Sequence, residues 1–86
     1  MATDTPDPHY HGARLVVDDE LDRGQVVFCF DNGSRSHHNV FMQEGLHIND
    51  TALAVLEAQS HHRCPTAKIT SIIMSRVDFL AYTGEK

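Results

Sequence analysis

The 86-residue chain is defined first by what it lacks. No stretch approaches the roughly 18–20 consecutive apolar residues that span a bilayer. The opening Met-Ala-Thr-Asp-Thr-Pro-Asp-Pro has neither the basic start nor the apolar centre of a secretory signal. There is no Cys-x-x-Cys, and the two cysteines can form one disulfide at most. A lone pair without a signal reads as reduced thiols in the cytoplasm. The glycines, at 12, 24, 33, 45 and 84, are too scattered to cradle a phosphate, and no Gly-x-Ser-x-Gly elbow is present. Basic residues are few: seven lysines and arginines against twelve acids give a net charge of −5. Nucleic acid is therefore an unexpected partner, because binding it needs the opposite electrostatic footprint.

What is present describes one α+β domain. The chain is 41% hydrophobic and 22% charged, which is ordinary for a water-soluble fold. Residues 1–12, with Pro6, Pro8 and Gly12 among polar neighbours, read as a flexible tail, and residues 13–86 as the domain. A domain of this size buries only about 60–65% of its unfolded surface, so a homodimer is a favourable way to add burial. Charge is uneven. Residues 1–50 carry nine acids against Arg14, Arg23 and Arg35, whereas residues 51–86 carry three against Arg63, Lys68, Arg76 and Lys86. Protonating all seven histidines would move the net charge from −5 to +2, so the surface is unusually sensitive to pH.

The expected sheet is antiparallel, of about three strands, with a central hairpin over 25–42. A first strand covers 13–17 and runs into an acidic turn at 18–24. In the hairpin, Asn32-Gly33 between apolar runs predicts a two-residue turn. That register opposes Phe28 to His37 and Val27 to His38, and puts Cys29 and His38 on one face as diagonal neighbours. Residues 50–62 read as a helix capped by Asn49, with Ile48 and Leu53 at the staple positions and Cys64-Pro65 as the stop. Over 66–82, Ile69, Ile72, Ile73, Val77 and Leu80 follow helical periodicity, and a second helix is expected. The alternative for that segment is two strands, at 68–75 and 77–83, because it is rich in Ile, Thr and Val.

Three chemistries fit the residue types. Cys29, His38, His61 or His62, and Cys64 would supply the four N/S ligands of a zinc ion, although their spacing matches no standard zinc module. A Cys–His nucleophile is disfavoured: Cys64 follows the C-terminal end of a helix, which raises a thiol pKa, and Cys29 sits between two phenylalanines. The third is recognition of a basic surface by Asp18, Asp19, Glu20 and Asp22, joined by Asp31 and Glu44; Arg76, within the apolar stripe of the expected second helix, reads as a stem snorkelling at its rim, with a partner's carboxylate as the alternative. The sequence therefore points to a small non-enzymatic cytoplasmic accessory or regulatory module that acts by binding protein, itself or another. The alternative is a small zinc-binding protein.

Overall fold

The computed structural model describes residues 8–84. Its elements are β1 (His9–Tyr10), β2 (Ala13–Val17), β3 (Gln25–Phe30), β4 (Arg35–Asn39), α1 (Asp50–Arg63), β5 (Ile69–Met74) and α2 (Arg76–Thr83). The fold is α+β, and the sheet is larger than the three strands expected. It has five strands in the order β1-β2-β5-β3-β4. β5 pairs parallel to β2 and antiparallel to β3; the other pairs are antiparallel. Of the expected flexible tail, His9–Tyr10 forms an edge strand with Tyr10 buried, and residues 1–7 lie outside the described residues.

The segment 66–82 is neither one helix nor two strands. Its first half is β5, the middle strand of the sheet, and its second half is α2. The misleading periodicity has a physical cause. A central strand carries apolar side chains on both faces, so its run of isoleucines shows no alternation. Ile72 and Met74 are buried on the α1 side, while Ile73 is half-buried on the other. Ser75 then turns the chain and caps α2, accepting the Asp78 N–H at 3.2 Å.

Cross-strand pairing sorts the side chains into two faces. One row runs Leu15–Ile72–Phe28–Ser36 and the next runs Val17–Met74–Val26–His38, both on the face that α1 covers. The opposite face carries Val16–Ile73–Val27–His37 and Arg14–Ser71–Cys29–Arg35. α1 lays Leu53, Leu56 and Ser60 onto the first face, spaced three and four residues apart. Its cap is the one read from the sequence: Asn49 Oδ1 accepts the Ala52 N–H at 2.9 Å, and Ile48 and Leu53 both join the core. Because β4 and β5 are both antiparallel to β3, they run parallel to each other, and α1 is the crossover between them.

The turn between β3 and β4 departs from the expected geometry. Phe30 N–H donates to Ser34 O at 2.9 Å, which makes Asp31-Asn32-Gly33 a three-residue loop. Only Gly33 has a positive φ, +89°, the left-handed residue that follows a type I turn in such loops. The extra loop residue slips β4 by one, so Phe28 opposes Ser36 and Val26 opposes His38. A one-residue slip exchanges the faces of a strand. His38 therefore lies on the α1 face, and Cys29 lies on the other.

Gly24, between β2 and β3, is constrained twice. Its φ is +89°, and a Cβ built there would stand 2.3 Å from the Val40 carbonyl oxygen, to which no backbone can yield. Gly33 has the same φ with nothing within 4 Å. Gly33→Ala is thus expected to cost about 1–2 kcal/mol, the left-handed penalty alone. Gly24→Ala should cost roughly 3 kcal/mol or more, as backbone overpacking adds to that penalty. Urea unfolding midpoints of the two variants measure the difference.

Candidate functional site

Two polar clusters sit where remote segments meet. The first is built on Asp78, which is 0% exposed. Its Oδ2 accepts the Gly24 N–H at 2.7 Å and the Ser75 hydroxyl at 3.0 Å, and its Oδ1 lies 3.2 Å from His47 Nδ1. An ionised carboxylate can only accept, so His47 carries its proton on Nδ1 in this contact. The loop bearing His47 is held from beneath by Arg23. Its guanidinium donates to the Gln43 and Leu46 carbonyls, with Nε 3.1 Å from Leu46 O. Adjacent residues Arg23 and Gly24 thus clasp the 43–47 loop and the start of α2. Chemically, an aspartate that fixes an imidazole tautomer resembles part of a catalytic relay. Here Ser75 is 3% exposed and already donates to the same carboxylate, so it offers no accessible nucleophile. The cluster is a clamp.

The second cluster is built on His38, between β4 and α1. Its Nε2 lies 2.9 Å from both Ser36 Oγ and Ser60 Oγ, and its ring meets Phe28 edge-on at 5.5 Å. Burial first, then the positive charges of Arg63 and His37, push its pKa below the ordinary value. Both serines are buried, at 1% and 0% exposure, which excludes them as nucleophiles for a substrate from solvent. Beside this cluster a groove of about 590 Å³ opens between the outer edge of β4 and the outer side of α1. Its floor is His38, Val40 and Leu56; its walls include Val55, Gln59 and Phe41. Phe41 is 93% exposed and Val55 53%.

The residues expected to bind zinc are dispersed. Cys29 and His38 occupy opposite faces of the sheet, a correction that follows from the three-residue turn. His62 is exposed on α1, and Cys64 is the C-terminal cap whose N–H donates to Ser60 O. Both cysteines are free thiols. Among the described residues, no three His, Cys, Asp or Glu side chains are gathered as a metal set.

The expected partner-binding acids are mostly at the surface, and the best-formed ion pair, itself exposed, joins two groups of the same chain. Arg76 forks onto Asp19, with Nε–Oδ1 at 2.7 Å and Nη2–Oδ2 at 3.1 Å. The guanidinium holds the Asp19 carboxyl below its usual range. Arg76 is the first residue of α2 and does not lie within the apolar stripe of a long helix. Asp18 accepts the Glu20 N–H at 2.9 Å and shapes its own turn, while Glu20 and Asp22 face solvent. Asp78 was missed as a site residue. Its signal was Ser75-x-x-Asp78 ahead of an apolar run, the spacing of a capped helix start.

Comparison with known proteins finds no match for this chain: no protein-family model, no curated protein and no solved structure resembles it significantly.

Two measurements test these clusters. Asp78→Ala leaves the Gly24 N–H and His47 without their acceptor and is expected to cost roughly 3–5 kcal/mol by urea unfolding. Asp19→Ala, at the exposed pair, should leave the midpoint nearly unchanged. His38 predicts a pH effect. The unfolded chain takes up this proton near pH 6.5, and the folded one only at lower pH. The unfolded state is then the more protonated one, so stability falls as pH drops below about 6.5 and is fully kept above it. Unfolding midpoints between about pH 7.5 and about pH 5 should fall less steeply for His38→Gln than for the natural chain.

Proposed function

We propose that this protein is a small non-enzymatic accessory module that acts by binding another protein, and that the groove between β4 and α1 is its contact surface. The observation that carries the reading is Phe41, 93% exposed at the mouth of the groove and next to half-exposed Val55. A large aromatic side chain held in water gains free energy when covered, and apolar patches rimmed by polar groups mark interaction sites. The acidic turn at 18–22 contributes solubility in this reading, because its strongest charge contact is spent on Arg76. The free thiols of Cys29 and Cys64 accord with a reducing compartment, the cytoplasm. Among the described residues no helix is long and apolar enough to cross a membrane.

Selection of a random peptide library on the immobilised protein tests the reading. Selected peptides should bind Phe41→Ser or Val55→Ser at least about tenfold more weakly than the natural chain, the loss typical of an interface anchor. Both substitutions lie on the surface and should shift stability by no more than about 0.5 kcal/mol. Peptides that bind all three proteins equally would refute the groove as the contact surface.

A further inference from the structure

The groove has a second property, which concerns its backbone. Among the described residues β4 is the last strand of the sheet, and one of its edges faces no other strand. Phe30 N–H donates to Ser34 O, and Val40 N–H donates to Gly24 O at 2.8 Å. In an antiparallel ladder, hydrogen-bonded pairs recur at every second residue. Ser36 and His38 therefore spend their main-chain groups on β3, whereas Arg35, His37 and Asn39 turn theirs outward. Three consecutive outward positions beside a helix form the template used when an extended peptide adds a strand to a sheet.

The charge around this edge favours one kind of occupant. In a chain of net charge −5, the groove lining among the described residues holds one permanent cation, Arg63, and no acid. Arg35 adds a cation on the opposite face of the same edge. The charge is also placed at one end. α1 is the crossover between parallel strands β4 and β5, so it runs back along β4 and brings Arg63 toward the Arg35 end. Phe41 and Val55 mark the other end. A peptide adding antiparallel to β4 would enter at the apolar end and finish at the cationic one.

We infer that the groove takes an extended segment of another protein by antiparallel strand addition to β4, with apolar side chains toward Phe41 and Val55 and acidic side chains, nearer its C-terminal end, toward Arg63 and Arg35. This rests on the groove being the contact surface, and it specifies the partner's conformation, polarity and charge. Opposite charges across an interface fix register and speed encounter.

The test uses the full chain and an acetylated, amidated octapeptide of alternating valine and threonine, with two glutamates among its last three positions. Its counterparts carry two glutamines there, or the two glutamates near the other end, or N-methyl groups on the amides that would face β4. The glutamate peptide should bind at least about tenfold more tightly than the glutamine one at low salt, with the gap closing as salt rises. Arg63→Gln should narrow that gap several-fold, and Arg63→Gln combined with Arg35→Gln should close it. N-methylation should abolish binding, and amide NMR shifts on titration should centre on Arg35, His37 and Asn39. Equal affinity for the glutamate and glutamine peptides, or a preference for glutamates at the other end, overturns the acidic occupant and its polarity while the contact surface stands. Binding that survives N-methylation overturns strand addition. If no peptide of the set binds while library-selected peptides still depend on Phe41, this inference falls and the contact surface stands. If those selected peptides ignore Phe41 as well, both fall. A dimer in sedimentation equilibrium that excludes the peptide and dissociates in Phe41→Ser would show the groove filled by a second copy and overturn the inference.

Discussion

The structure depends on one buried carboxylate. Asp78 ties the turn before β3, the loop before α1 and the cap of α2, three segments separated by more than 20 residues from each other in the chain. Removing such a charge from water is costly unless both its oxygens find donors. A backbone N–H, a hydroxyl and an imidazole supply those donors here. The arrangement also explains the glycine at 24. The chain must pass so close to Val40 that no side chain fits, and its N–H must point at a carboxylate 54 residues away. Neither demand is local, and each is met only when the sheet has closed.

Closure itself is a late event in sequence terms. β2 and β3 do not pair; β5 enters between them and pairs with both. The hairpin β3–β4 has the strongest local signal, yet it lies at the side of the sheet, and the middle belongs to a strand from the last quarter of the chain. Leu15 of β2 pairs with Ile72 of β5, a strand that follows α1 in the chain. The core cluster, with Phe28, Leu53 and Ile72, therefore assembles from the three thirds of the molecule together.

Legibility in the sequence followed the range of the interaction that decides each element. α1 was readable because Asn49, Ile48 and Cys64-Pro65 act within a turn of their own positions. The strand at Gln25–Phe30 was readable for the same reason, and so was the α+β class. The turn at Asp31-Asn32-Gly33 was read with the right glycine and the wrong length. A two-residue turn and a three-residue loop share the Asn-Gly signature and differ by one step of register. That single step put His38 on the opposite face of the sheet from Cys29. β5 was illegible because burial on both faces erases the alternation that identifies a strand. Asp78 was illegible as a clamp because its partners, Gly24 and His47, are brought to it by topology alone.

The same register step accounts for the groove. With Ser36 and His38 turned inward, β4 presents polar side chains to α1 where β3 and β5 present Phe28, Val26, Ile72 and Met74. Polar atoms in that position must be paired, and Ser60 on α1 completes the set with His38 and Ser36. The apolar core consequently ends at β3. Past it, the space between β4 and α1 has His38, Val40 and Leu56 as its floor and stays open among the described residues. Phe41, the aromatic residue nearest in sequence, is carried outward by the strand end instead of inward. An open groove beside an outer strand edge is thus a consequence of ending the core on a histidine and two serines. Had the two-residue turn formed, Ser36 and His38 would face the other side of the sheet, and the inward positions of β4 would fall to Arg35 and His37. The observed floor of the groove, His38 between Ser36 and Ser60, therefore follows from the third loop residue.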